Sequence, residues 1–120
     1  MRILGFSKKW QKLSNQTFTT FRFPRKDKDW QVGEVIQVVY KPRSPFFREI
    51  LGTATIISKE QKLVFSGRDP IMAIGDRAAI EDGFANIAAF QVWMMEKYPL
   101  KQLQEEPINK LTLKWIRRTK

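Results

Sequence analysis

Thr20 and Arg22 stand two residues apart in the segment Thr17-Phe18-Thr19-Thr20-Phe21-Arg22, a spacing that puts both side chains on one face of a strand. The guanidinium offers a rigid fork of donors that fits a phosphate or a base edge bidentately, and the hydroxyl beside it adds a small polar contact. Arg25, Lys26 and Lys28 follow in a stretch that Pro24 keeps extended, partly offset by Asp27 and Asp29. Further on, Lys41, Arg43 and Arg48 share a Pro-bounded loop with Phe46 and Phe47. Charge for phosphates beside flat faces for bases suits single-stranded nucleic acid. The competing use of the two rings is to anchor the loop to a small core, and that is the use expected here. The chain has neither Cys nor His. This rules out a disulfide framework, a thiolate or imidazole zinc site, a Cys nucleophile and a Ser-His-Asp triad. Any chemistry falls to Lys, Tyr, Thr, Ser or carboxylates, and no metal or cofactor is expected.

These groups need elements to position them. Ile3 to Phe6 reads as a short strand, and Ser7 to Ser14 as a short helix that Ser7 can cap, with Trp10 and Leu13 on one face. Thr17 to Phe23 alternates, Phe21 and Phe23 facing one way and Thr20 and Arg22 the other. Trp30 to Glu34 is a turn into the strand Val35 to Tyr40, and Lys41 to Pro45 must be loop because each Pro lacks a ladder donor. Gly52 to Ser58 is a further strand, and Val64 and Phe65 add a short one. From Asp69 onward the pattern becomes helical: a turn at Asp76 to Glu81, a break at Gly83, then a helix capped by Asn86. Ile87, Phe90 and Met94 share its face, and Pro99 stops it. The chain closes on a strand, Ile108 to Arg117, with Leu111, Leu113 and Trp115 on its buried face. This is an α+β pattern: a small barrel with helices that plug or flank it, in a single domain over residues 1–120.

The charge is +10 over 120 residues, and it is uneven. Residues 1–48 carry +8, residues 49–106 carry −3 and residues 107–120 carry +5. If the termini lie together, the two basic ends form one face for phosphates, and an anionic partner is expected. No apolar run approaches the roughly 18 residues of a membrane span. Lys8 and Lys9 come too early for a secretory signal, so a cytoplasmic monomer is expected, with no membrane partner.

The order of these segments resembles the ASCH domain, the activating-signal-cointegrator homology domain of the PUA-like superfamily. The resemblance is carried by the first strand and helix, the Thr17 to Arg22 segment, the turn Val32-Gly33-Glu34, Glu81-Asp82-Gly83-Phe84 opening the late helix, and the closing strand from Leu111 to Ile116. The family signature Gly-x-Lys-x-x-Glu-x-Arg, with Thr common at the Glu position, falls on Asn15, Thr17, Thr20 and Arg22. The resemblance implies a PUA-like β-barrel with flanking helices, and a cleft between this segment and the late helix.

Enzymes of that family are small amidohydrolases of acylated cytidine that use a Lys, a Thr and an acidic residue. By position these are Thr17, Thr20 and Asp82, so the chain lacks the family's Lys; Lys8, Lys9 or Lys12 could reach in from the neighbouring helix. Binding needs no such group. Asp82 can accept from an exocyclic amine, or hold Arg22 in a salt bridge that ties strand to helix; both readings are open. Gly83 is expected as a turn and Phe84 as a core anchor. The expected function is RNA or nucleotide binding through Lys8, Lys9, Thr20, Arg22, Arg25, Lys26, Arg43 and Asp82. The alternatives are a hydrolase of a modified nucleoside, using Thr17, Thr20 and Asp82, and an adaptor for an acidic protein.

Overall fold

Alternating apolar residues build five strands: β1 (Arg2–Phe6), β2 (Thr17–Arg22), β3 (Val35–Tyr40), β4 (Glu49–Lys62) and β5 (Ile108–Arg118). The computed structural model describes residues 1–65 and 71–119, so the change of character expected at Asp69 begins outside the described residues. The strands form one sheet in the order β1-β3-β4-β5-β2, with β1 parallel to β3 and every other neighbour antiparallel. Register shifts at Val38/Val39, Thr53/Ala54 and Ile56/Ser58 bend the long strands, and the sheet curls into a half-barrel. The curl brings the edge strands β1 and β2 towards each other without a backbone ladder between them. Side chains bridge that seam: Phe6 meets Phe18 edge-on at 6.2 Å, and Arg22 Nη2 donates to the Gly5 carbonyl at 2.7 Å.

Two cores result, and β2 belongs to both. Inside the curl lie Leu4, Phe6, Phe18, Ile36, Val38, Ile56, Leu111, Leu113 and Trp115. On the other face Phe21 packs on Phe90, and these with Phe23, Val64, Met94, Leu103 and Ile108 bind the sheet to three helices, α1 (Asp76–Glu81), α2 (Ile87–Lys97) and α3 (Leu100–Glu105). The exposed start of this strand gives way to a buried stretch, Phe18 to Thr20, and a half-buried end at Phe21 and Arg22. Thr20 and Arg22 lie in that second half of the strand.

The α+β reading and the main strands agree with the alternation, and Asn86 caps α2 by accepting from Ala89 N–H at 2.8 Å. Several details differ. Helix begins only at Gln11, as a single 3₁₀ turn (Gln11–Ser14), and the exposed Ser7 caps nothing. Trp10 is drawn instead into ring contacts with Phe84 and Trp93, which outweigh the small gain of one more turn in a marginal helix. β4 runs well beyond Gly52 to Ser58. Val64 and Phe65 form a turn rather than a strand, and only Leu63 makes an isolated bridge, to Ala73. Pro99 does end α2, but it also occupies the cap position of α3, whose one buried side chain, Leu103, gives too little periodicity to read.

Candidate functional site

The end of β1, the 3₁₀ turn, β2 and the α1–α2 turn enclose a cleft of about 140 Å³. One wall is aromatic. Trp10 stands 5.1 Å from Phe84 and 5.4 Å from Trp93, ring centre to ring centre, and Phe84 lies 5.8 Å from Trp93. Gly83 makes this closure possible: its φ is +110°, and a Cβ there would lie 2.7 Å from Trp10 Cε3. Gly83 is thus the expected turn, while Phe84 serves both the helix core and the cleft wall.

The polar lining includes Lys12, Thr20, Arg22 and Asp82, with Lys97 and Tyr98 at the end of α2. Lys12 Nζ lies 3.0 Å from Asp82 Oδ1, with the two side chains only 5% and 7% exposed. Thr19 Oγ1 donates to the same oxygen at 3.0 Å. Burial pushes the Lys12 ammonium below its ordinary range against the pull of Asp82. It likewise pushes the Asp82 carboxyl up against the pull of Lys12. Arg22 Nε donates to Thr20 Oγ1 at 3.0 Å, and the guanidinium faces the Phe6 ring at 4.8 Å. Burial lowers the Arg22 pKa to about 10 against the pull of nearby groups, Asp82 among them, so the group stays a cation at neutral pH. Among the described residues no protein acceptor bonds its Nη1.

The salt bridge between Arg22 and Asp82 therefore does not form. Alternation along β2 turns Thr19 towards Asp82 and Arg22 towards Gly5, and the carboxylate takes Lys12 instead. Thr17 is exposed at the start of β2, opposite Lys114, and is not part of the cleft. An amine does stand in the cleft, that of Lys12. Its one signal in the sequence is a lysine set between Trp10 and Leu13 on a short turn, and its carboxylate partner lies 70 residues away.

A second hollow, of about 680 Å³, adjoins the first and shares Gly5, Phe6, Ser7 and Arg22 with it. Arg22, Arg25, Lys41 and Arg43 line it without a carboxylate among the lining side chains, and Trp30 adds a buried ring. Arg25 bonds the exposed Asp27 at 3.3 Å. Lys8 lies over the Trp10 ring at 4.3 Å, Lys9 pairs with Glu49 at 2.8 Å, and Lys26 is exposed outside both hollows. The two basic ends do meet, since Arg118 donates to the carbonyls of Ser14 and Asn15. The groove draws its cations from residues 22–43, and Arg117 and Arg118 line a separate hollow with Ile50 and Thr53.

No protein-family model, curated protein or solved structure matches this chain. What the site can do rests on its own geometry. The cleft is smaller than the roughly 300–1,000 Å³ that takes a drug-sized ligand. Trp10, Phe84 and Trp93 offer it flat apolar faces, and Lys12, Arg22 and Asp82 supply two cations and a carboxylate. Among the described residues no three metal-ligating side chains gather at one point, and no helix is long and apolar enough to cross a membrane.

Proposed function

We propose that this chain is an ASCH-like RNA-binding domain that seats one base in the aromatic cleft and lays the neighbouring phosphates along the groove, working as a cytoplasmic monomer. One observation carries the reading: an aromatic cleft with hydrogen-bonding groups at its floor runs, through Arg22, into a groove lined by four cations and no carboxylate. The rings supply stacking, the floor reads a ring edge, and the cations hold phosphate. An acidic protein surface would use the groove alone and leave the cleft empty.

The test is a salt titration of a fluorescent single-stranded RNA against a DNA of matched sequence. Each neutralised phosphate of a single strand contributes about −0.7 to the slope of log affinity against log salt, so four groove cations give a slope of about −2 to −3. Absent binding at low salt, or binding indifferent to salt, removes the reading.

A specific observation keeps the hydrolase reading in play: an amine, a hydroxyl and a carboxyl do share the cleft, as Lys12, Thr20 and Asp82. Their bonding favours recognition over catalysis. Lys12 is engaged by Asp82, and the Thr20 oxygen accepts from Arg22 rather than facing a base, so the nucleophile is not activated. Acylated cytidine incubated with the protein and followed by chromatography is expected to survive. Turnover that disappears in Lys12→Met would replace the binding reading with the hydrolytic one.

A further inference from the structure

Beyond the groove the chain rises into the loop at residues 41–48, where the use of Phe46 and Phe47 is the reverse of that expected from the sequence. Neither ring anchors the loop. Phe46 is 87% exposed, the most exposed of the large apolar side chains among the described residues, and Phe47 is 65% exposed. Pro42 supplies the foot instead: it lies so close over Gly5 that a Cβ there would come within 2.5 Å of Pro42 Cγ. Lys41 N–H donates to the Phe6 carbonyl at 2.7 Å and fixes the start of the loop to the end of β1.

The loop is also folded rather than slack. Lys41 takes a positive φ of 47°, Ser44 N–H returns to the Lys41 carbonyl at 3.0 Å, and Phe47 N–H donates to Ser44 Oγ at 3.0 Å. These bonds hold two aromatic rings outward. Lys41 Nζ stands 5.3 Å from the Phe47 ring, and Arg43 and Arg48 flank the rings in sequence. The adjacent acid, Glu49, is occupied by Lys9. Lys41, Pro42, Arg43 and Ser44 are at the same time part of the groove wall, so the platform continues the cation track that leaves the cleft at Arg22.

We propose that Phe46 and Phe47 form a second base-stacking platform, and that the partner is accordingly a single-stranded RNA several nucleotides long rather than a free nucleotide. This rests on the reading of cleft and groove given above, and it adds to that reading a second base contact beyond the groove. The charge argues for the occupant: exposed rings among cations that pair with no carboxylate among the described residues match a strand with phosphates on one side and bases on the other. An apolar protein face would leave Lys41, Arg43 and Arg48 without partners.

The test compares two probes, a single-stranded RNA of about eight nucleotides, within the roughly 4–16 covered by known single-strand modules, and the four nucleoside monophosphates. In the double variant Phe46→Ala/Phe47→Ala, affinity for the oligonucleotide is expected to fall at least about tenfold. Affinity for the monophosphates is expected to stay within about twofold, because the cleft is untouched, and the salt slope of oligonucleotide binding is expected to hold because no charge is removed. Phe46→Tyr/Phe47→Tyr is expected to keep most of the oligonucleotide affinity. An oligonucleotide affinity equal in wild type and Ala variant, with binding otherwise intact, overturns the platform and leaves the cleft reading standing. Wild-type protein that binds neither probe overturns both. Loss in the Ala variant of binding to anionic vesicles, or of self-association, with RNA affinity unchanged, likewise overturns the platform.

Discussion

Asp82→Asn is expected to cost about 3–5 kcal/mol of folding stability, as removal of one partner from a buried ion pair generally does. The substitution keeps the shape of the side chain and an oxygen that can still accept from Thr19, so what it removes is the charge opposite Lys12. With side chains 5% and 7% exposed, neither ion can turn to water. A loss of this size is a large part of the roughly 5–15 kcal/mol that holds a domain together. The double variant Lys12→Met/Asp82→Asn no longer buries a lone charge and is expected to be more stable than the Asp82→Asn single, because a buried pair only roughly repays its own desolvation. The pH dependence has a fixed sign. In Asp82→Asn the unfolded chain keeps the Lys12 proton up to the ordinary 10.5 while the folded chain, where burial already lowers that pKa, gives it up earlier. Across that window the unfolded state carries more protons, so stability rises with pH and the deficit shrinks. Urea melts at neutral and alkaline pH check both points. A single-variant loss under about 1 kcal/mol, or a double variant worse than the single, would show that the pair carries little of the fold.

That pair also marks the boundary of what the sequence made legible. Strand β5 could be read because Leu111, Leu113 and Trp115 repeat every second residue, and α2 because Asn86 announces its start and Phe90 and Met94 share a face. Both are local signals, and local signals survive folding when tertiary contacts agree with them. Lys12 and Asp82 are joined only by the closure of α1 against the 3₁₀ turn, across most of the chain, and no periodicity encodes that. For the same reason Arg22 could be placed on the face of Thr20 but not against the Gly5 carbonyl, which depends on how far the sheet curls. Composition points to Phe46 and Phe47 as anchors through the rule that a loop beside a small core needs an apolar foot. The rule held, but Pro42 fills it.

Arg22→Ala is expected to have the largest effect on ligand binding of any single substitution in the site, since Arg22 alone among the groove cations also lines the cleft. Loss of a bidentate contact accounts for about 1–3 kcal/mol, or roughly 5- to 150-fold in affinity. The same guanidinium closes the seam between β1 and β2, and hydrogen bonds from a charged donor are worth about 1.5–3 kcal/mol, so some stability goes with it. The two consequences separate because the charge and the fork can be varied independently. Arg22→Lys keeps a cation in the groove but lacks the planar fork whose separate nitrogens reach Thr20 and Gly5, so it is expected to preserve the salt slope and to recover little affinity. Arg43→Ala touches only the groove, and Arg25→Ala adds to that the loss of an exposed pair with Asp27, which contributes little to stability. They are expected to weaken RNA binding modestly and to reduce the salt slope by about 0.7 each, with melting temperatures unchanged. Binding curves measured beside thermal melts of the same four variants decide the matter. If Arg22→Ala binds RNA like wild type once the folded fraction is accounted for, Arg22 is a seam residue only, and the link from cleft to groove that carries the functional reading is broken.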